Sequence, residues 1–471
     1  MARTSQPRAG LVLAVLSLAA FMASLDVFIV NVAFDAIGAE LRGPSLSQLS
    51  WVLNAYAIVY AALLIPAGRV ADRYGRKGGF LVGLAVFTAA SVACAASNGI
   101  WELVGARVVQ AAGAALLTPA SLGLVVASAA PEHRARSVRT WAASGAVAAA
   151  LGPVVGGLLV EASWRWVFLV NLPIGLLALA AAARWVPASR DRSVQRLPDA
   201  LGAALLAVGV GALALGLVEG PDWGWAGGRT IVAWLVAVLA AAGFAWSTAR
   251  HPAPVVAPAL LRVRAFGWAN LTSLLFAAAF AASLLSRVLW LQQVWDWSAV
   301  RSGLAITPGP LMVPLFSVVA HRLARRLPIG VVVAVGCLLT AVGAVVVSLS
   351  VGPVPHYAAD FLPGWLIGGA GVGLALPSIL SSAAADLPPG QAATGSAVVN
   401  TTRQIGTALG VSVFVAVLGT PHGYAEAHAA FQAGWWVLAG TAVAAAAAAL
   451  GMTPRRAPAH APVEDAAAAA A

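Results

Sequence analysis

The residues most able to do chemistry in this chain sit where polar side chains are costly. Asp26, Arg107, Gln110, Arg403 and Gln404 each lie within an apolar run long enough to cross a bilayer. An ionised carboxylate at such depth costs at least about 2.5 kcal/mol on insertion scales, so it is kept for a function or for a fixed partner. Burial disfavours the charged form of a carboxyl group. A carboxyl in the place of Asp26 can therefore alternate between holding a proton and holding a cationic or polar ligand. The plainer reading is a carboxylate paired permanently for structure. Arg107 cannot lose its charge, so it must face protein, a water-filled cavity or a carboxylate. Arg403 and Gln404 read as lining a cavity or bonding between helices, with Gln292 and Gln293 as weaker candidates. All seven histidines fall in expected connectors or the tail, which disfavours a histidine relay inside the membrane.

Other chemistries find little support. The two cysteines, Cys94 and Cys337, lie in apolar runs and suggest neither a disulfide framework nor a metal site. The single lysine, Lys77, precedes Gly78-Gly79 and not Ser or Thr, so no phosphate-binding loop surrounds it. No cofactor and no metal are expected. A net charge of +11 can signal a nucleic-acid partner, but the arginines fall in short clusters between apolar runs, a pattern of membrane topology. The expected partner on this ground is the lipid bilayer, with no nucleic acid.

The elements that position these residues must be helices, because a lipid-exposed strand edge cannot satisfy its backbone. The chain is 61% hydrophobic and 10% charged. Apolar runs fall at 11–34, 48–68, 79–97, 101–126, 138–160, 166–186, 198–218, 230–248, 267–291, 303–320, 329–350, 358–383, 394–418 and 432–451, which makes fourteen. The first is too long for a signal-peptide core and reads as a spanning helix. With both termini inside, the inner segments carry 21 of the 28 Lys and Arg, the outer loops four (Arg42, Arg165, Arg229, Arg301), and the spans three. That asymmetry sets the expected orientation. Trp51, Trp101, Trp164, Trp166, Trp223, Trp225, Trp295 and Trp297 gather at the outer boundaries and read as interfacial anchors.

The chain also repeats itself. At an offset of 258, Ala112-Gly113 meets Ala370-Gly371, Pro119 meets Pro377, and Leu151-Gly152 meets Leu409-Gly410. At 253, Arg69, Ala71 and Arg73 meet Arg322, Ala324 and Arg326. Eight spans separate the copies, so the repeat is parallel and implies two bundles about a central site. The expected organisation is an N-terminal cytoplasmic segment 1–9, a six-helix bundle 10–187, a linker with two extra helices 188–262, a second six-helix bundle 263–452, and a disordered cytoplasmic tail 453–471.

Gly68-Arg-Val-Ala-Asp72-Arg73-Tyr-Gly75-Arg76-Lys77 resembles the loop signature of the major facilitator superfamily, and Arg107-Val-Val-Gln110-Ala-Ala-Gly113 its fourth-helix motif. Gly145 through Gly152-Pro153-Val-Val-Gly156-Gly157 is similar to the fifth-helix motif associated with antiporters. Leu25-Asp26-Val-Phe-Ile-Val-Asn31-Val-Ala33 resembles the first-helix motif of the fourteen-span drug:proton antiporters, as do Trp164 through Gly175 and Asn400 through Gly406 their own segments. The resemblance covers about residues 10 to 450. It implies an all-α polytopic membrane protein, twelve core helices plus two inserted central ones, working as a monomer in the inner (cytoplasmic) membrane. It implies no enzyme but export of a drug, antibiotic or secondary metabolite in exchange for protons, with Asp26, Asn31, Arg107 and Gln110 in coupling or substrate contact. An importer or uniporter on the same fold is the second reading; a membrane-embedded enzyme is a distant third, for want of paired acids in a sizeable loop.

The residues carry mechanical readings too. In the loop signature the glycines permit a tight turn, and Asp72 can cap a helix or pair with an arginine such as Arg76. Gly152, Gly156 and Gly157 put small residues on one helix and Pro153 permits a bend; close packing and a leak-preventing bend between the halves both fit. The family motifs usually run on to proline where this chain has Asp35, and are apolar where it has Arg287. Those departures lead to the expectation that Asp35 and Arg287 pair across the outer gate, or else that Arg287 contacts an anionic or phenolic substrate. One proton entering down about 100 mV releases roughly 2.3 kcal/mol. A half-unit pH gradient adds about 0.7 kcal/mol. Together they sustain roughly a 150-fold gradient of a neutral compound.

Overall fold

In a computed structural model of the chain, residues 6–41, 43–191, 196, 198–385, 387 and 392–453 are described. The expected tail 453–471 lies outside them beyond Thr453, as do residues 1–5 and Arg42. The described residues contain fourteen helices long and apolar enough to cross a membrane. They are α1 Gln6–Val32, α2 Leu46–Tyr74, α3 Arg76–Ala96, α4 Ile100–Ser128, α5 Arg134–Ala162, α6 Trp166–Trp185, α7 Ala200–Trp223, α8 Gly228–Arg250, α9 Arg264–Leu289, α10 Ala299–Leu323, α11 Ile329–Ser350, α12 Leu362–Ala385, α13 Ala392–Leu418 and α14 Gly423–Leu450. One helix occupies each expected run. Several reach further than the apolar count foresees, because a helix continues into the polar boundary once its backbone is paired. Thus α2 runs on to Tyr74, and Gly68, Asp72 and Arg73 are helical and not part of a loop. The turn is Gly75 alone, at φ +128°, a conformation that L side chains rarely adopt. Likewise α14 starts at Gly423, nine residues before the expected run, so His428 lies inside a spanning helix; His321 lies inside α10. The expectation that every histidine falls in a connector is corrected on both.

Helices α1–α6 pack among themselves, and α9–α14 do so in the same pairings. The α1–α5, α1–α6, α2–α4, α3–α4 and α3–α6 contacts are matched by α9–α13, α9–α14, α10–α12, α11–α12 and α11–α14. The inserted pair α7–α8 packs on itself, and α7 lies against both α2 and α13. Asp199 fastens this pair. It caps α7 by accepting from the Gly202 N–H at 2.6 Å, and the Ser247 hydroxyl of α8 donates to its carboxylate at 2.8–2.9 Å. Arg69 of α2 is near enough to interact with the same charge. Replacing Asp199 by Ala removes the cap and both bonds. Purified protein is expected to lose about 1–2 kcal/mol in that region, read as a lower unfolding temperature.

Two bundles meet along α2–α13 and α5–α10. The contacts differ between the ends of the molecule. At the Trp-rich end, one apolar cluster takes residues from both bundles, including Ile29, Val30, Phe34, Leu285, Trp290 and Ile306. At the basic end, where Arg76 and Lys77 lie, the core of the first bundle (Val12, Leu16, Phe80, Leu124) holds no residue of the second. The second bundle's own core there takes Ile65 of α2 from the first bundle, and Ala203, Val255 and Leu260 from the inserted segment. The bundles are thus joined at the Trp-rich end and largely separate at the basic end. Trp164, Trp295 and Trp297 belong to the shared core, at 1%, 6% and 8% exposure, and are not lipid-facing anchors. Trp101, Trp166 and Trp225 are exposed, as anchors must be.

Candidate functional site

The helix pair α1–α4 brings Asp26 and Arg107 into direct contact, both buried. Arg107 Nη1 donates to Asp26 Oδ2 at 2.5 Å. Gln110, one turn along α4, lies on the same helix face as Arg107. Its Nε2 donates to Asp26 Oδ1 at 2.8 Å and to Ser91 Oγ of α3 at 2.8 Å, and its Oε1 accepts from Arg107 at 2.6 Å. Asn171, at the Trp-rich end of α6, donates to Asp26 Oδ1 at 3.1 Å and to Ser91 Oγ at 3.3 Å. Asp26 therefore accepts three hydrogen bonds, which satisfy it as an anion. Arg107 is held further by its Nε, which donates to the Val52 carbonyl of α2 at 3.1 Å, and by the ring of Tyr56, 4.1 Å from the guanidinium carbon. The cluster ties α1, α3, α4 and α6 to α2, and α2 is the helix that meets α13.

Of the residues expected at the site, Asp26, Arg107 and Gln110 come together. Asn31 does not join them: its amide turns back to the Val27 carbonyl of α1 at 2.9 Å. Arg403 and Gln404 lie on α13 in the other bundle. Arg403 Nη2 donates to Asn400 Oδ1 at 3.3 Å, its Nε is buried without a hydrogen-bond partner, and it interacts with Tyr60 of α2. Tyr60 thus lies where α2 of the first bundle faces Arg403 of α13. Sequence reasoning missed Ser91, Tyr56 and any role for Asn171. Small polar residues and a lone tyrosine in apolar runs give no periodic signal.

The loop signature forms a latch inside the first bundle. Arg76 Nε meets Asp72 Oδ1 at 2.6 Å, and Arg76 Nη2 reaches Asp191 Oδ2 at 3.7 Å. The Asp191 N–H donates to the Asp72 carbonyl at 3.0 Å, and the Arg76 N–H to the Ser189 carbonyl at 2.8 Å. This fixes the α2–α3 turn to the connector that leaves α6. The α5 glycines lie at contacts between helices. A side chain at Gly152 or Gly156 would press on Phe28 or Ile29 of α1. One at Gly157 would meet the backbone of Ala299 and Val300, and Gly303 is seated against Pro153. The last two contacts join the bundles at the Trp-rich end.

The expected Asp35–Arg287 pair does not form. Helix α1 ends at Val32, and Asp35 lies exposed in the first turn of a separate short helix, Phe34–Glu40. Arg287 is 1% exposed and turns back along α9, donating to the Ser283 carbonyl at 2.9 Å and to the Ser283 hydroxyl. The cross-bundle bond at this level comes from Gln292, whose amide donates to the Val32 carbonyl at 3.0 Å.

Comparisons with known proteins agree with this architecture. The family model described as Major Facilitator Superfamily matches residues 16–411. A methylenomycin A resistance protein of Streptomyces coelicolor is 34% identical over 400 residues, 84% of this chain and 83% of that protein. A cephamycin export protein of Amycolatopsis lactamdurans is 34% identical over 425 residues, 89% of this chain and 86% of its own length. A crystal structure of a peptide transporter of the POT type superposes with a TM-score of 0.69 at 17% identity, covering 93% of this chain and 94% of that one; it speaks to the fold alone. With the family model matched across α1 to α13, this fourteen-helix membrane protein belongs to the Major Facilitator Superfamily.

Proposed function

We propose that the chain exports a small organic compound, an antibiotic or related metabolite, in exchange for protons, with its basic end in the cytoplasm and Asp26 as the proton carrier. The relatives named for resistance and export support the direction. The observation that carries the proton reading is the wholly buried Asp26–Arg107 pair. Protonating Asp26 removes the charge that neutralises Arg107, and a buried guanidinium without a counter-charge is strongly unfavourable. The protonated bundle then favours an arrangement in which Arg107 meets water or a ligand. Arg107 also holds Val52 and Tyr56 of α2, so its displacement is felt at the α2–α13 seam. This links the proton to the relative position of the bundles, as exchange requires.

The test is accumulation of a panel of antibiotics and dyes in cells lacking their own pumps, with and without a protonophore. Lower accumulation in cells making the protein, lost on adding the protonophore, is the expected result. Raised accumulation would reverse the direction and make the protein an importer.

A further inference from the structure

The exchange just described leaves Arg287 without a task. No carboxylate pairs with it among the described residues, and its Nε is buried with no acceptor. Its guanidinium carbon lies 4.8 Å from the ring of Trp365 of α12, a ring fixed by donating its N–H to the Ile306 carbonyl at 2.6 Å. The repeat shows what has been exchanged. Trp365 stands 258 residues after Arg107, and Arg287 stands 258 after Ile29, three residues on from Asp26. The first bundle places an acid on its first helix and a cation on its fourth. The second places a cation on its first helix and an aromatic face on its fourth.

Arg403 adds a second such cation, its Nε also buried without a hydrogen-bond partner. Helices α9, α12 and α13 contain no acidic residue at all. Asp26 and Arg107 neutralise each other, so the second bundle carries one fully buried and one partly buried positive charge with no acid on these helices to balance them. Fixed buried cations of this kind mark the path of a ligand that brings the missing charge. Arg403 lies eleven residues from the basic-end start of α13, whereas Arg287 is two residues from the Trp-rich end of α9. They therefore sit at successive depths.

Resting on the transporter reading above, we infer that the transported compound is an organic anion, a carboxylic acid or ionised phenol. Its acidic group is met first by Arg403 and then by Arg287, with its carbon skeleton against Trp365. A guanidinium offers the planar paired donors that match a carboxylate, and the indole supplies an apolar face beside them.

The test is binding to the purified full-length protein in detergent, with no gradient. The probes are a set of aromatic carboxylic acids, each compared with its methyl ester and with the matched amine. The acids are expected to bind at least about tenfold more tightly than their esters. Arg287→Gln and Arg403→Gln are each expected to weaken acid binding about 10- to 100-fold and leave ester binding unchanged. Without ligand, Arg287→Met is expected to unfold at a higher temperature than the parent, because it removes an uncompensated buried charge; a purely structural arginine would give a fall. Preference for esters or amines, acid affinities untouched by both Gln substitutions, or no binding by any acid overturns the inference. If acids bind as expected but no proton-driven movement is seen in vesicles, proton-driven export is what fails, and the substrate class stands.

Discussion

Asp26→Asn is expected to lower gradient-driven transport at least about 100-fold. The substitution keeps the shape of the side chain and removes its charge. Arg107 is then buried without its counter-ion, a loss of about 3–5 kcal/mol when one partner of such a pair is deleted, and each 1.36 kcal/mol is a factor of ten. Whichever way the new amide turns, its nitrogen faces a donor: Gln110 and Asn171 on one side, Arg107 on the other. Asp26→Asn/Arg107→Gln separates the two consequences. Removing both charges is expected to restore the unfolding temperature toward the parent value and leave gradient-driven transport lost. Exchange of labelled for unlabelled substrate across proteoliposomes, with no gradient, is the companion measurement. If Asp26→Asn retains proton-driven transport, the carboxylate is a structural partner of Arg107 and the proton is carried elsewhere.

The second large effect is expected at the seam. Gly157→Leu places a side chain where α5 touches the backbone of Ala299 and Val300, and backbone cannot move aside as the tip of a flexible side chain can. The bundles then cannot close at the Trp-rich end. Transport is expected to fall to background. A cysteine introduced at Val32, which is 1% exposed, is expected to react at least about tenfold faster with a membrane-impermeant maleimide than in the Gly157 parent. Gly303→Val, on the facing helix against Pro153, is expected to do the same. Unchanged labelling in both would mean that these glycines serve only helix packing.

The helices were legible from the sequence because a bilayer imposes a length, and a run of apolar residues meets it or does not. The α1–α4 pair was half legible. Asp26 and Arg107 each announce themselves as charges in an apolar run, and Gln110 follows from its place one turn beyond Arg107. Ser91 and Asn171 do not, because their contact with Asp26 depends on how α3 and α6 rotate against α1. The Asp35 expectation failed for a related reason. It treats Asp35 as a continuation of α1, whereas that helix ends at Val32 and Asp35 lies on the exposed face of a separate short helix. His428 was misplaced because Glu426, His428 and Gln432 lower the apolar signal of the first turns of α14, although Trp290 and Val351 receive the imidazole within the packed end.

The inserted helices have a consequence for anything that approaches through the lipid. Helix α7 covers the flank where α2 meets α13, and among the described residues no helix packs in the same way on the flank where α5 meets α10. The molecule therefore has a covered side and a bare side. Toward the basic end, where the bundles keep largely separate cores, Ala203 of α7 helps to close the α2–α13 flank, and among the described residues the α5–α10 flank has no such cover. A compound entering from the lipid at that end is therefore expected to pass between α5 and α10.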